Sequence, residues 1–393
     1  MDKGNNLCIS KYARVLVNEN ECIVGNIMTD GRWIRISYEI YNTLVKKIST
    51  NVPLLSEYEN RILEILKEIG VCIEDNQNED SLKLCPTDVT IELTTQCNLL
   101  CKHCSYSFGG KNYREMSGEM LEFIVEWCEK QKIQRILLTG GEPFCRKDIN
   151  HIIENIKNRF SGKLEIITNG TLINEECIST ILQYVYALHI SLDGFDENSV
   201  SEIRGKGVYD RVINLIKILH DKKFERITLS CVNTGEDDKI ENFKNLAGDL
   251  NVKAIIRQLN LKGRAEKNFK QKQIEEFFLK ELSEKSLTLK CLCKHEYKSL
   301  FFDTYGRIFP CAALREEDLE IGHILLPEQR ININGKLMKP IVEEIDSCQN
   351  CNVRYFCADT CISQNNLIYP DNTKKSERCW HRKQKLTDMV WNG

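Results

Sequence analysis

Apolar and polar positions change their period several times along the chain, and each change marks an element. Near the start, Ala13-Arg14-Val15-Leu16-Val17 reads as a strand, and Arg32-Trp33-Ile34-Arg35-Ile36 alternates polar with apolar residues as a second one. Asp30-Gly31 is a turn signal between them. Ser37 can cap a helix from Tyr38 to about Ile48. Ser56 with Glu59 makes a capping box, and the helix behind it gathers Ile62, Ile65, Leu66 and Ile69 on one face before Gly70 stops it. Val71-Cys72-Ile73 predicts a short returning strand, and the acidic, Asn-rich run Glu74 to Asp80 a linker.

The middle of the chain alternates strands with helical stretches. The pattern predicts strands at Val89–Leu93, Arg135–Thr139, Leu164–Thr168, Leu188–Leu192, Arg226–Val232 and Lys253–Leu259, with helices between them such as Glu119–Lys130 and Tyr209–Leu219. Six strands separated by helices imply parallel βαβ units, and right-handed crossovers curl these into a partial (β/α)6 barrel or a doubly wound sheet. In both arrangements chemistry sits on the loops after the strand C-termini. Beyond Cys291 periodic helices thin out and cysteines crowd together, as in a small domain built around metal. The reading is therefore an α/β protein with an N-terminal segment 1–85, a core 86–285 and a cysteine-rich segment 286–393.

Composition narrows the function classes. The chain has 393 residues, 42% of them hydrophobic, enough for a real core. A formal charge of −3 gives no broad basic field for nucleic acid. No signal peptide opens the chain and no apolar run is long enough to span a bilayer, so a cytoplasmic protein without membrane attachment is expected. In such a reducing compartment disulfides explain 19 cysteines poorly, and metal ligation or catalysis explains them better. Three lie in one loop, eight between Cys291 and Cys379, and eight are scattered as small apolar fillers.

The loop Cys97-Asn98-Leu99-Leu100-Cys101-Lys102-His103-Cys104 spaces its thiols as C-x3-C-x2-C. Three ligands are one short of a closed four-cysteine site, which leaves one metal position open for a substrate. A zinc site completed by His103 or a distant cysteine remains open on spacing alone. Together with Gly140-Gly141-Glu142-Pro143, Ile167-Thr168-Asn169-Gly170, Ile190-Ser191-Leu192-Asp193-Gly194 and Gly263-Arg264-Ala265, each at the end of an expected strand, the loop resembles the radical S-adenosylmethionine (radical SAM) superfamily. The resemblance implies a 4Fe–4S cluster on Cys97, Cys101 and Cys104 whose open iron binds S-adenosylmethionine. Reduction then cleaves the C5′–S bond to a 5′-deoxyadenosyl radical that abstracts a substrate hydrogen. It further implies cofactor contacts from Gly140, Gly141, Glu142, Pro143, Ser191, Asp193 and Arg204, and a flavodoxin- or ferredoxin-type electron donor. His103 departs from the aromatic residue often found before the last loop cysteine and is a candidate to stack on adenine, or a surface residue. The residues agree: the Gly140-Gly141 backbone and Glu142 offer acceptors for an ammonium, and Ser191 and Arg204 suit ribose hydroxyls or a carboxylate.

Cys293, Cys311, Cys348, Cys351, Cys357, Cys361 and Cys379 resemble the superfamily's SPASM extension, and Cys291 adds an eighth thiol. By that resemblance Cys291, Cys293, Cys311 and Cys361 hold one auxiliary 4Fe–4S cluster, and Cys348, Cys351, Cys357 and Cys379 a second. Two structural zinc sites fit the same spacing. SPASM enzymes mostly modify peptides, so the expected activity is maturation of a ribosomally made precursor peptide, forming a thioether or other crosslink as in sactipeptide and ranthipeptide enzymes. The strand and helix order of the first 85 residues resembles the winged-helix domain that takes leader peptides by strand addition. A sulfatase-maturing enzyme is the alternative, opposed by the 96 residues before the first loop cysteine and by Ala312 where that group carries an aspartate. A zinc or cluster scaffold or electron carrier is the alternative of another class.

Overall fold

The computed structural model describes residues 7–27, 29–50, 52, 56–74, 86–269, 287–289, 299–315, 320–325, 341–343, 346–357 and 372–392. Contacts gather the chain into two compact units: Met1–Cys85 with Leu279–Lys294 and Gly335–Gly393, and Pro86–Phe278 with His295–Asn334. Each unit joins segments far apart in sequence, which a division at changes of composition does not register.

In the first unit β1 (Leu7–Ile9) pairs antiparallel with β5 (Cys72–Glu74). β2 (Ala13–Asn18), β3 (Glu21–Asn26) and β4 (Trp33–Ser37) form an antiparallel sheet in that order. The middle strand escaped the alternation analysis because it is buried on both faces and so lacks a polar period. Cys22 and Val24 pack under α1 (Tyr38–Thr50) and α2 (Glu57–Glu68) with Leu44, Ile48, Ile62 and Leu66. Ile23 joins Leu16 in a second core with Leu289, Phe356, Leu386 and Trp391. The capping box forms as expected: Ser56 Oγ accepts from the Glu59 N–H and Glu59 Oε2 from the Ser56 N–H, each at 3.1 Å.

The second unit is built on β6 (Asp88–Thr94), β7 (Arg135–Gly140), β8 (Lys163–Thr168), β9 (Ala187–Ser191), β10 (Ile227–Asn233) and β11 (Lys253–Gln258), all parallel and in strict chain order. A doubly wound sheet reverses its order at a switch point. This one does not, so it is the partial barrel. β12 (Ser299–Phe302) extends it parallel to β6, followed by antiparallel β13 (Arg307–Phe309) and β14 (Gly322–His323). The connecting helices are α3 (Gly118–Lys130), α4 (Ile149–Arg159), α5 (Glu175–Tyr184), α6 (Glu197–Arg204), α7 (Val208–Asp221) and α8 (Asp237–Asp249).

Period-two alternation gives each strand one mainly apolar face, with Ile91, Ile136, Ile166 and Ile190 buried in the main core. The alternate positions carry polar groups. Near the strand starts these form a chain of ion pairs and a hydrogen bond: Arg135 Nε to Asp88 at 2.8 Å, Arg135 Nη1 to Glu165 at 3.3 Å, and His189 Nε2 hydrogen-bonded to Glu165 at 2.8 Å. Near the strand ends, Thr139, Ser191, Ser230 and Arg257 open onto a cavity. Among the described residues no helix is long and apolar enough to cross a membrane.

Candidate functional site

The cavity lies at the C-terminal ends of the parallel strands and has a volume of about 270 Å³. It collects Cys97, Cys101 and Cys104 on one side and Gly140, Gly141, Ser191, Asp193 and Arg204 on the others, with His103 between. Residues spread over more than 100 positions thus meet because each follows a strand of one parallel sheet. Glu142 and Pro143 stand behind the lining. Glu142 is buried and accepts from the Phe144 N–H (3.1 Å), Thr168 Oγ1 (2.7 Å) and the Asn169 N–H (2.6 Å), tying the loop after β7 to the end of β8. Burial pushes its carboxyl up to about 7, against those three donors.

The cysteine loop is fastened at several points. Asn98 is held by Asn169 Nδ2 (2.9 Å) and donates to Thr171 Oγ1 (2.8 Å). The Lys102 N–H donates to the Ile203 carbonyl at 2.9 Å. Arg264, which opens α9 (Arg264–Asn268), forks onto the Cys101 carbonyl (2.9 Å) and the Phe108 carbonyl (2.7 Å), and its N–H donates to the Cys104 carbonyl at 3.0 Å. Gly263 permits that approach: a Cβ there would lie 2.6 Å from the Ser105 carbonyl oxygen, and its φ is +58°. The Gly263-Arg264-Ala265 motif is therefore a clamp on the loop.

Gly140 and Gly141 serve a similar closeness. A Cβ on Gly140 would meet the Thr94 carbonyl oxygen at 2.3 Å, and one on Gly141 the Gln96 carbonyl oxygen at 2.1 Å. The Gly141 N–H is spent on the Thr94 carbonyl at 2.7 Å, so what this backbone offers a ligand is carbonyl oxygen, an acceptor suited to an ammonium.

Asp193 anchors the opposite wall. Its carboxylate accepts from His103 Nε2 (2.6 Å), from Arg204 Nε (2.5 Å) and Nη2, and from the Val232 N–H (2.5 Å). Burial alone would raise this carboxyl, but Arg204 and His103 hold it well below the usual range. Arg204 is raised in turn, burial being outweighed by Asp193 and the nearby thiols. Its Nη1 lies 3.8 Å from Cys101 Sγ.

The three thiols suit a soft metal centre. Burial pushes Cys97 up to about 12 and raises Cys101, so their thiolates need a cation to exist, which a bound cluster supplies. Among the described residues no three His, Cys, Asp or Glu side chains converge tightly enough for a single metal ion. An iron–sulfur cluster, being larger than a single ion, would not require that convergence. With two glycines closing the cradle and the cavity open beside the thiols, the residues fit a cluster carrying a chelating ligand.

Pattern reading missed Tyr106, Phe108, Ser230, Arg257 and Asn260, which also line the cavity. For Ser230 and Arg257 the signal is a polar side chain alternating with the apolar positions of β10 and β11. The Arg257 side chain makes no hydrogen bond or ion pair among the described residues. Burial lowers its pKa, against the attraction of Asp193. Of the auxiliary cysteines, Cys311 follows β13 in the second unit. The turn that delivers it has Gly306 at φ +85° and Asp303 Oδ1 accepting from the Tyr305 (2.9 Å) and Arg307 (3.0 Å) N–H groups. Cys348, Cys351, Cys357 and Cys379 lie in the first unit, the first three in or against its second core. Cys291, Cys293 and Cys361 fall outside the described residues. Ala312 presents its carbonyl to the Tyr106 hydroxyl.

The model of the Radical SAM superfamily matches residues 91–247. The mycofactocin maturase MftC of Mycolicibacterium smegmatis is 30% identical over 181 residues, 46% of this chain and 46% of that protein, so the match spans less than half of the maturase. A probable GTP 3',8-cyclase of Pyrococcus horikoshii is 32% identical over 273 residues, 66% of this chain and 85% of the cyclase. Among solved structures, Streptococcus suis SuiB bound to S-adenosylmethionine superposes with a TM-score of 0.56 at 16% identity, over 91% of this chain and 96% of SuiB. SuiB has also been solved with its precursor peptide SuiA.

Proposed function

This chain belongs to the radical SAM superfamily, and from that premise we propose that it is a maturase that modifies a ribosomally made precursor peptide by hydrogen abstraction. Cys97, Cys101 and Cys104 would hold the 4Fe–4S cluster. When bound, cluster and S-adenosylmethionine together supply an electron transfer that yields a 5′-deoxyadenosyl radical. This chain's residues do the rest: the Gly140 and Gly141 carbonyls take up an ammonium, Ser191 and Arg204 orient a carboxylate or ribose, and the strand-end wall keeps water from the reacting atoms. Arg257 gives the cavity a positive charge with which to orient an anionic group.

The observation that carries the reading is the meeting of the three cysteines with Gly140, Ser191 and Arg204 in one cavity. The peptide substrate is supported by the likeness to a mycofactocin maturase and by a fold shared with SuiB over most of both chains. β2 and β4, the outer strands of the first unit's sheet, offer edges to which a leader peptide adds a strand. We assign Cys348, Cys351, Cys357 and Cys379 to one auxiliary cluster, Cys311 with Cys291, Cys293 and Cys361 to another, and electron supply to a flavodoxin- or ferredoxin-type donor in a reducing cytoplasm. A sulfatase-type mechanism lacks its base, since position 312 is alanine.

A nucleotide substrate is the second reading, favoured by the 32% identity to a probable GTP 3',8-cyclase. Anaerobic reconstitution separates the readings. Wild-type enzyme reduced with dithionite should form 5′-deoxyadenosine, and Cys101→Ala should form none, because the cluster loses one of its only three protein ligands. Normal cleavage by that variant would sink the assignment. With GTP, a new nucleotide product would displace the peptide reading. With a synthetic peptide from a short reading frame beside the gene, a mass loss from lost hydrogens would support it.

A further inference from the structure

Asp193 is an unusual residue to find fully buried. It is 1% exposed, its charge is not neutralised by protonation, and its backbone is left-handed, with φ +64°. A non-glycine residue in that region stores strain, which persists only where the surroundings over-determine it. Here they do. The chain turns at once into α6, and a Cβ on Gly194 would lie 2.6 Å from Ser199 Oγ and 2.7 Å from the Val200 nitrogen. This tight turn brings Arg204 back onto Asp193. The Val232 N–H pins the second carboxylate oxygen from β10.

The carboxylate thus joins three elements: β10 through Val232, α6 through Arg204, and the cysteine loop through His103. Being an acceptor only, it assigns the proton to His103 Nε2 and fixes the ring plane. Its two contacts to Arg204 leave Nη1 directed at Cys101 Sγ, 3.8 Å away. Both carboxylate oxygens are engaged by these donors, Oδ2 by His103 and Arg204 and Oδ1 by the Val232 N–H, so Asp193 acts on a ligand through the side chains it holds.

We propose that Asp193 is a positioning residue that acts through Arg204: it holds the guanidinium between the Cys101 sulfur and the cavity, in the geometry that receives S-adenosylmethionine. This rests on the cluster and cofactor reading above. A residue that acts through another should be energetically coupled to it, and a double-variant cycle measures that coupling.

The experiment is isothermal titration of S-adenosylmethionine into anaerobically reconstituted enzyme at matched iron content. It compares wild type, Asp193→Asn, Arg204→Gln and the double variant. Each single substitution should weaken binding about tenfold, and the double variant should bind no more weakly than Arg204→Gln alone, within about twofold. A double variant weakened about a hundredfold, the product of the single effects, would overturn the proposal. If Asp193→Asn alone fails to retain its cluster, Arg204→Gln against the double variant carries the same test, because removing both charges leaves neither buried without a partner. Further loss of affinity on adding Asp193→Asn to Arg204→Gln would again overturn it. As an independent readout, S-adenosylmethionine at saturation should perturb the electron paramagnetic resonance signal of the reduced cluster less in Asp193→Asn than in wild type. A merely structural role leaves that perturbation intact. Wild-type enzyme that takes up a cluster but binds no S-adenosylmethionine would instead remove the reading on which the proposal stands.

Discussion

Single residues in this protein do most when their environment forbids the alternative. Gly141 has no room for a Cβ, since the obstructing atom is backbone, the Gln96 carbonyl oxygen at 2.1 Å. Gly141→Ala must push the loop after β7 away from the root of the cysteine loop, at a cost of about 1–3 kcal/mol as for other overpacked sites. The expected outcome is a lower thermal midpoint together with weaker S-adenosylmethionine binding, read by differential scanning calorimetry and titration. Glu165 shows the electrostatic counterpart. Burial would raise its carboxyl, yet His189 and Arg135 hold it below its ordinary value. The folded state therefore binds that proton less tightly than the unfolded chain. The resulting stability is complete above the ordinary glutamate range and fades as pH falls through the lowered value. Glu165→Gln should lower the urea midpoint near neutral pH and flatten its decline on acidification. An unchanged acid limb in that variant would contradict the assignment.

At the scale of elements, the cysteine loop is held from outside. Its own residues include a 66% exposed Leu100, so the loop is not folded around apolar packing of its own. It is fastened by α9 through Arg264, by the end of α6 through Ile203, and by the end of β8 through Asn169. Arg264→Ala removes two hydrogen bonds from a charged donor, about 3 kcal/mol of local restraint. We expect the variant to fold, since α9 is short and peripheral to the sheet, but to lose iron faster than wild type when challenged with a chelator. Arg264→Lys should recover little, because an ammonium cannot span two carbonyls as a planar fork does. Iron retention equal to wild type in both variants would mean the clamp is dispensable.

At the scale of the whole molecule, the first unit's sheet has two covered faces. One is covered by α1 and α2, within the first 85 residues, and the other by Leu289, Phe356, Leu386 and Trp391. A fragment of residues 1–85 retains the first core and bares the second. Contiguous apolar surface of that kind associates. The fragment should therefore self-associate and bind a hydrophobic dye, whereas the full chain should not, as size-exclusion chromatography and dye fluorescence would report. A monomeric, dye-silent fragment would show that the second core is not needed by the first.

The barrel was legible in the sequence because parallel strands flanked by helices impose a local rule: one face of each strand must be apolar, and turn residues must follow it. β6 to β11 were accordingly placed within about a residue of their ends. The capping box at Ser56 and Glu59 is equally local. The C-x3-C-x2-C loop and the Gly-Gly motif could be picked out because their chemistry lies in residue type and spacing. Tertiary structure decided what depends on contacts between distant segments. β3 is hidden from pattern analysis because its second face is covered by residues from the other end of the chain. Glu142 stands out in sequence through the Gly-Gly-Glu motif, but that its carboxylate ties the loop after β7 to the end of β8 is seen only once the Thr168 hydroxyl and the Asn169 N–H reach it. Asp193 and Arg204 stand 11 residues apart in sequence, and their joint hold on the Cys101 sulfur exists only after β9, β10 and α6 have packed. Periodicity records which face of an element is buried, whereas the identity of the group that buries it is written in a segment that no local window contains.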